Sequence, residues 1–168
     1  MQHNQHELDS VDYLILKTLL SDASIAYSDI AKELNVSGGT IHVRMKKLQD
    51  SGIVLGTKLL INPAKLGFDI CAFLGIYLEK GSAYRQVSDD LLEIDEIVEL
   101  HYTTGNYNIF AKVICKDTQH LRTVLNDKIQ IIPGVQSTET FISLEQSIHR
   151  DITLNLNEAT VHHPDSHR

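Results

Sequence analysis

Tryptophan is absent from the 168 residues, and cysteine occurs only as Cys71 and Cys115. Two isolated cysteines in apolar surroundings exclude a disulfide-stapled secreted module and any cysteine-based metal spacing. They read as buried free thiols of a reducing compartment. Long apolar runs are missing as well. None reaches the roughly 18 residues of a membrane span, and the opening MQHNQHELDS carries no apolar signal segment. The expectation is a cytoplasmic protein with no membrane partner. Catalytic signatures are lacking too: no G-x-S-x-G, H-E-x-x-H, P-loop or G-x-G-x-x-G occurs. Neither an enzyme nor a bound cofactor or metal is expected. Nor is there a cation excess. The net charge of -7 excludes a protein that coats nucleic acid indiscriminately.

What is present is unevenly distributed. Residues 1–60 hold six Lys/Arg against seven Asp/Glu, whereas residues 61–168 hold nine against fifteen. Within 40–58, Arg44, Lys46, Lys47 and Lys58 face Asp50 alone. An acidic body with a local basic patch suits a specific DNA binder. The patch lies in Ser28–Ser51, SDIAKELNVSGGTIHVRMKKLQDS, which reads as helix, tight turn and helix. Ile30, Ala31 and Leu34 form one apolar stripe, and Val36 sits in the turn. Ser37 caps the second helix, where Ile41, Met45 and Leu48 recur at helical spacing. Gly39, Val43 and Lys46 fall on the opposite face, with His42 and Lys47 at its edges. Small residues let a helix N-terminus approach a major groove while cations meet phosphates at the rim. Gly38-Gly39-Thr40 at that N-terminus suits a DNA backbone phosphate, and Ser28 opens the first helix of the pair. Arg44 projects at about 300° on the helical wheel, between core and groove face. Holding the fold together and bonding a phosphate are both open to it.

A preceding helix from Asp9, with Val11, Leu14, Ile15, Thr18 and Leu19 on one face, supplies a third wall. Gly52 ends the recognition helix. Ile53-Val54-Leu55 and Lys58-Leu59-Leu60-Ile61 flank Gly56-Thr57 as a short hairpin, which makes residues 8–61 a winged helix-turn-helix. Lys58 then stands on the wing. Residues 62–67 read as a linker. From Phe68 to about residue 150 the order is β-α-β-β-α-β: a strand over Ile70–Leu78, a helix from Ser82 to about Glu93 with Tyr84, Val87, Leu91 and Leu92 inward, strands Ile97–Thr103 and Tyr107–Cys115, a helix Thr118–Ile129 and a last strand Val135–Leu144. That is a ferredoxin-like α+β domain. Right-handed crossovers put both helices on one sheet face. The first strand is nevertheless apolar on both sides, with Cys71, Phe73 and Tyr77 on the uncovered one, so a second copy is expected there. Residues 151–168 read as a polar tail, in which His162, His163 and His167 are solvated rather than metal ligands.

The turn Thr103-Thr104-Gly105-Asn106-Tyr107-Asn108 is dense in small polar groups, and Gln136-Ser137-Thr138-Glu139-Thr140 is a second such cluster. Hydroxyls, amides and free backbone N–H groups suit a small zwitterion. An ordinary polar hairpin turn is the competing reading.

Leu8-Asp9-Ser10-Val11-Asp12-Tyr13-Leu14-Ile15-Leu16, the helix-turn-helix, the exit Ser51-Gly52-Ile53-Val54 and the turn Gly105-Asn106-Tyr107-Asn108 together resemble the Lrp/AsnC family of feast/famine regulators. The resemblance spans about residues 8–150. Gly39–Arg44, Tyr102–Phe110 and Val135–Thr140 are most similar to its asparagine-responsive members. It implies a winged helix-turn-helix joined to a ferredoxin-like domain, dimers assembling to octamers, and an amino acid bound near the G-x-Y-[DN] turn. Carried over by position, Tyr102, Thr103, Thr104, Gly105, Asn106, Tyr107, Gln136, Ser137 and Thr138 line that site, with asparagine favoured and leucine among the alternatives. The expected mechanism is a dimer that presents two recognition helices to double-stranded DNA. Val43 and Gly39 approach base edges, His42 and Ser37 hydrogen-bond bases or phosphates, and Lys46, Lys47 and Lys58 neutralise phosphates. An amino-acid-sensing regulatory subunit of a metabolic enzyme is the alternative, since split βαβ domains serve there too.

Overall fold

The computed structural model describes residues 8–154, so His162, His163 and His167 lie outside the described residues. The chain forms two compact units, one running to Leu59 and taking in the stretch from His149, the other Leu60–Ile148.

In the first unit, α1 (Ser10–Ser21), α2 (Tyr27–Glu33) and α3 (Gly38–Asp50) enclose Ile15, Ile30, Ala31, Ile41, Met45 and Leu48. These are the apolar positions of the 3.6-residue pattern, so burial follows the sequence period. Asp9 caps α1 by accepting from the backbone N–H groups of Val11 and Asp12, each at 2.9 Å. The chain turns from α2 into α3 through Asn35 at φ 53°. There the Val36 N–H donates to the Ala31 carbonyl and the Asn35 N–H to that of Lys32, a Schellman closure with Asn at its left-handed position. Gly52, at φ 75°, closes α3 in the same way.

The expected wing hairpin does not form. Residues 53–61 carry no paired strands, and Leu55, Leu59 and Leu60 are 95%, 82% and 74% exposed. A two-stranded ribbon is stable only when one face packs on a core. Among the described residues of this unit Val54 alone of the stretch packs against the helices, which leaves its other β-forming side chains without a core face there. Lys58 therefore stands on an irregular stretch, not on a wing.

The second unit opens with a single 3-10 turn, Pro63–Leu66, capped by the Asn62 side chain and ended by Gly67 at φ 83°. There follow β1 (Ile70–Leu78), α4 (Tyr84–Leu92), β2 (Ile97–Tyr102), β3 (Ile109–Cys115), α5 (Thr118–Thr123) and β4 (Val135–Ile142). The helix after β3 does not run on regularly to Ile129. It widens into a π-type segment over Val124–Ile129. The sheet order is β2-β3-β1-β4 with every neighbour antiparallel, the ferredoxin-like arrangement. Ala72, Leu74, Ile76 and Leu78 of β1 meet Val87, Leu91, Leu121, Val124 and Ile129 in the core. Leu92, expected inward, is 71% exposed, because it follows Leu91 by 100° and the helix ends there. Among the described residues no helix covers the opposite sheet face. On it Phe73 stacks with Phe110 at 6.0 Å.

Candidate functional site

The α3 helix puts two different surfaces on its two sides. Ile41, Met45 and Leu48 are buried, while Gly39, His42, Val43, Lys46 and Lys47 face solvent, Val43 at 59% exposure. Ser37 caps the helix, its hydroxyl accepting from the Thr40 N–H at 3.1 Å. Gly38, the first helical residue, has open space where a Cβ would stand. An open cleft of about 570 Å³ gathers Ser37, Gly39, Thr40, Val43, Arg44 and Lys47 with Asp9 and Asp12. The other expected DNA contacts lie outside this cleft. His42 sets its ring edge-on to Tyr27 at 4.9 Å. Lys46 pairs with Asp50 at 3.2 Å, and Ser28 is exposed on α2.

Arg44 has a definite place. Its Nη1 donates to Asp9 Oδ2 at 2.7 Å and to Asp12 Oδ1 at 2.8 Å. Asp12, at 1% exposure, is the one charged residue within the core of the described chain. Hydrogen bonding by Asp12 and then by Asp9 holds the guanidinium above its ordinary pKa. Burial works to raise the Asp9 carboxyl, but the Asp12 N–H and Arg44 outweigh it and hold the group below its ordinary value.

The polar residues of the second unit form a rim at one end of the sheet. The turn after β2 and the start of β4 flank the end of β1 on opposite edges, with Ile76 paired to both Ile109 and Thr138. Thr104, Gly105, Asn106, Gln136 and Ser137 are exposed. Thr103 fixes the turn: its N–H donates to the Asn108 carbonyl at 3.0 Å and its hydroxyl donates to the Tyr107 carbonyl. Tyr102 lies on the helix side, its ring 4.1 Å from that of Tyr84. Thr138 is on that side too, where its hydroxyl accepts from Gln130 Nε2 at 2.9 Å. Tyr107 lies on the open face, with its ring against Gly75 and 5.2 Å from that of Tyr77. The expected effector residues thus share one end of the sheet but divide between its two faces.

The Tyr107 hydroxyl donates to Glu139, and this bond leads the causes that push its pKa up to about 12. The folded state therefore favours the neutral phenol. The stabilisation is fully present below the ordinary value of 10 and is lost as pH rises through about 12. A spectrophotometric titration is expected to show one of the six tyrosines ionising late, a step missing from Tyr107→Phe. A late step that survives the substitution belongs to another tyrosine.

Comparison with known proteins bears on both units. The Lrp/AsnC ligand binding domain matches residues 71–152, and a winged helix-turn-helix DNA-binding domain matches 8–54. The Regulatory protein AsnC of Haemophilus influenzae is 49% identical over 147 residues, 88% of this chain and 98% of that protein. The chain belongs to the Lrp/AsnC family. The solved structure of Escherichia coli AsnC superposes with a TM-score of 0.82 at 42% identity, covering 86% of this chain and 97% of that one. A Neisseria meningitidis transcriptional regulator solved in complex with L-Met shares the fold, at a TM-score of 0.82 and 21% identity, covering 90% of this chain and 98% of that one. This Lrp/AsnC chain is accordingly a transcriptional regulator with a DNA-binding helix-turn-helix and a ligand-binding domain, of a family without enzymatic activity. Among the described residues no helix is long and apolar enough to cross a membrane.

Two residues of these sites, Asp12 and Gly75, carry a signal that the sequence reading above does not use. Asp9 and Asp12, at a spacing of three before an apolar run, signal a capping box, and Gly75, a glycine inside an apolar strand, signals close approach of another group.

Proposed function

We propose that this regulator reads double-stranded DNA through the solvent-facing side of α3 and that a free amino acid, asparagine first, modulates it from the rim. The single observation that carries the DNA reading is the two-sided character of α3. Ile41, Met45 and Leu48 fill the core, so exposed Gly39, Val43 and Lys47 are left without a structural task, and Lys46 holds an exposed ion pair with Asp50. In the groove, Gly39 and Val43 meet base edges, Ser37, Thr40 and His42 hydrogen-bond bases or phosphates, and Ser28, Lys46, Lys47 and Lys58 meet the backbone. The Gly38 N–H, at the helix N-terminus, faces a phosphate.

The effector reading is supported by the hydroxyl- and amide-rich rim and by the likeness of its turn to those of asparagine-responsive members. The L-Met complex of the Neisseria regulator supports an amino acid as the class. The uncovered sheet face, with Phe73 and Phe110 upon it, suits a second copy. Such a dimer places two α3 helices on successive groove faces, and dimers assemble to an octamer. Effector binding then needs only different affinities for two arrangements of the heads.

A gel shift on the DNA upstream of the protein's own coding sequence tests the first part. Absence of binding at moderate salt, with or without amino acids, overturns it. Thermal-shift screening against the twenty amino acids tests the second, with asparagine expected to give the largest stabilisation. A response to none of them defeats the effector reading. Lys46→Ala is expected to weaken binding about equally on all sequences and to lower the salt slope by about one. A slope equal to the parent's removes Lys46 from the phosphate contacts.

A further inference from the structure

We infer that Arg44, although it lies on the recognition helix and in the basic patch, does not contact DNA. It is a positioning residue that fixes the bearing of α3 against α1. The division of oxygen atoms in the cluster carries this. One oxygen of Asp9, Oδ1, accepts from the Val11 and Asp12 N–H groups and so caps α1, while Oδ2 takes the guanidinium. Asp12 divides its pair in the same way: Oδ2 accepts from the Asp9 N–H at 3.3 Å and Oδ1 takes the guanidinium. Each carboxylate thus spends one oxygen on starting α1 and the other on α3. The first turn of one helix and the second turn of the other are bolted through a single nitrogen. A phosphate claiming that nitrogen has to displace two charged bonds, one of them to Asp12, which is 1% exposed. Two carboxylates already surround the guanidinium, and they repel an approaching phosphate.

A clamp of this kind serves sequence reading more than attachment. Base-edge contacts need the helix at a set angle and depth, whereas phosphate attraction tolerates small rotations. Losing the clamp is therefore expected to reduce discrimination.

The inference rests on α3 being the reading helix, and the experiment separates the two. A duplex selected from random-sequence DNA by the full-length protein is compared with a scrambled duplex of equal length, each titrated from about 50 to 200 mM salt. For folded Arg44→Ala, affinity for the selected duplex is expected to fall at least tenfold. Affinity for the scrambled duplex and the salt slope are expected to hold. Equal losses on both duplexes, with the slope reduced by about one, mark a phosphate contact and overturn the inference. No loss on either duplex overturns it as well, leaving a residue of stability alone. Because Arg44→Ala carries a folding risk, Asp12→Leu/Arg44→Met supplies the second arm. Replacing a buried ion pair by apolar side chains of similar size preserves stability, and recovery of discrimination is expected with no cation at position 44. Failure to recover in a fully folded double variant counts against the clamp. A selection that enriches no sequence defeats α3 as reader. The clamp is then judged by unfolding alone, where additive effects of the two substitutions overturn it.

Discussion

Gly75→Val is expected to drive Tyr107 off the sheet and to destabilise the second unit by about 1–3 kcal/mol. A Cβ built on Gly75 falls 2.3 Å from Tyr107 Cδ1, 2.5 Å from Cε1 and 2.6 Å from Cγ. Contacts this short must be relieved by moving the ring. The ring cannot retreat with its backbone, because the next residue, Asn108, donates its N–H to the Ile76 carbonyl at 3.0 Å. Side-chain rotation is the remaining route, and it gives up the bond to Glu139 and the contacts with Tyr77 and Phe110. Denaturant unfolding in two backgrounds checks this. In Tyr107→Ala the seat is empty, so adding Gly75→Val is expected to cost much less than in the parent. Equal costs in the two backgrounds refute the steric account.

The second large effect is an asymmetry between the two ends of one ion pair. Arg44→Ala is expected to destabilise the first unit by about 3 kcal/mol, near the lower end for breaking a buried pair. Asp12→Ala is expected to cost about half that, in the range of a hydrogen bond to a charged group. The difference lies in what is left behind. Asp12 is the buried end of the pair, 1% exposed with Arg44 in place, so losing Arg44 takes a bonded cation from a desolvated carboxylate, whereas without Asp12 the guanidinium, 27% exposed, reaches water and still has Asp9. Urea unfolding of the two single variants measures it, and equal losses disprove the assignment of Asp12 as the desolvated partner.

Much of this architecture was legible in local sequence, and its limits follow one rule. Features set by short range were readable. Ser37 caps α3, Gly52 closes it, and the helical periods of Ile41, Met45 and Leu48 name the core. The β-α-β-β-α-β order with right-handed crossovers implies a covered and an uncovered sheet face, and the apolar residues on both sides of Ile70–Leu78 are read from the strand itself. Features that depend on a distant partner were not readable. The Leu- and Ile-rich stretch after Gly52 has strand composition, but pairing requires a surface to pack on, and in the described first unit Val54 alone of it packs on the helices. Arg44 sat between two faces on the wheel, and only α1, some thirty residues back, decides which way it turns. The turn at Gly105 could be picked out as polar. That Tyr102 and Tyr107 part to opposite sides of the sheet depends on strand register, which a list of turn residues does not contain.

Asn108 carries a mechanical consequence. Its N–H goes to Ile76, its side-chain oxygen takes the Leu78 N–H at 2.9 Å, and its carbonyl takes the Thr103 N–H at 3.0 Å. The rim turn is therefore welded at its base to β1, a strand gripped along both edges, while its tip from Thr104 to Asn106 hangs free. Its two bonds to β1 straddle Tyr77, and the register break in the β1–β4 pairing falls between Tyr77 and Leu78. The turn and the start of β4 are therefore tied to the same two-residue stretch of β1, from its opposite edges.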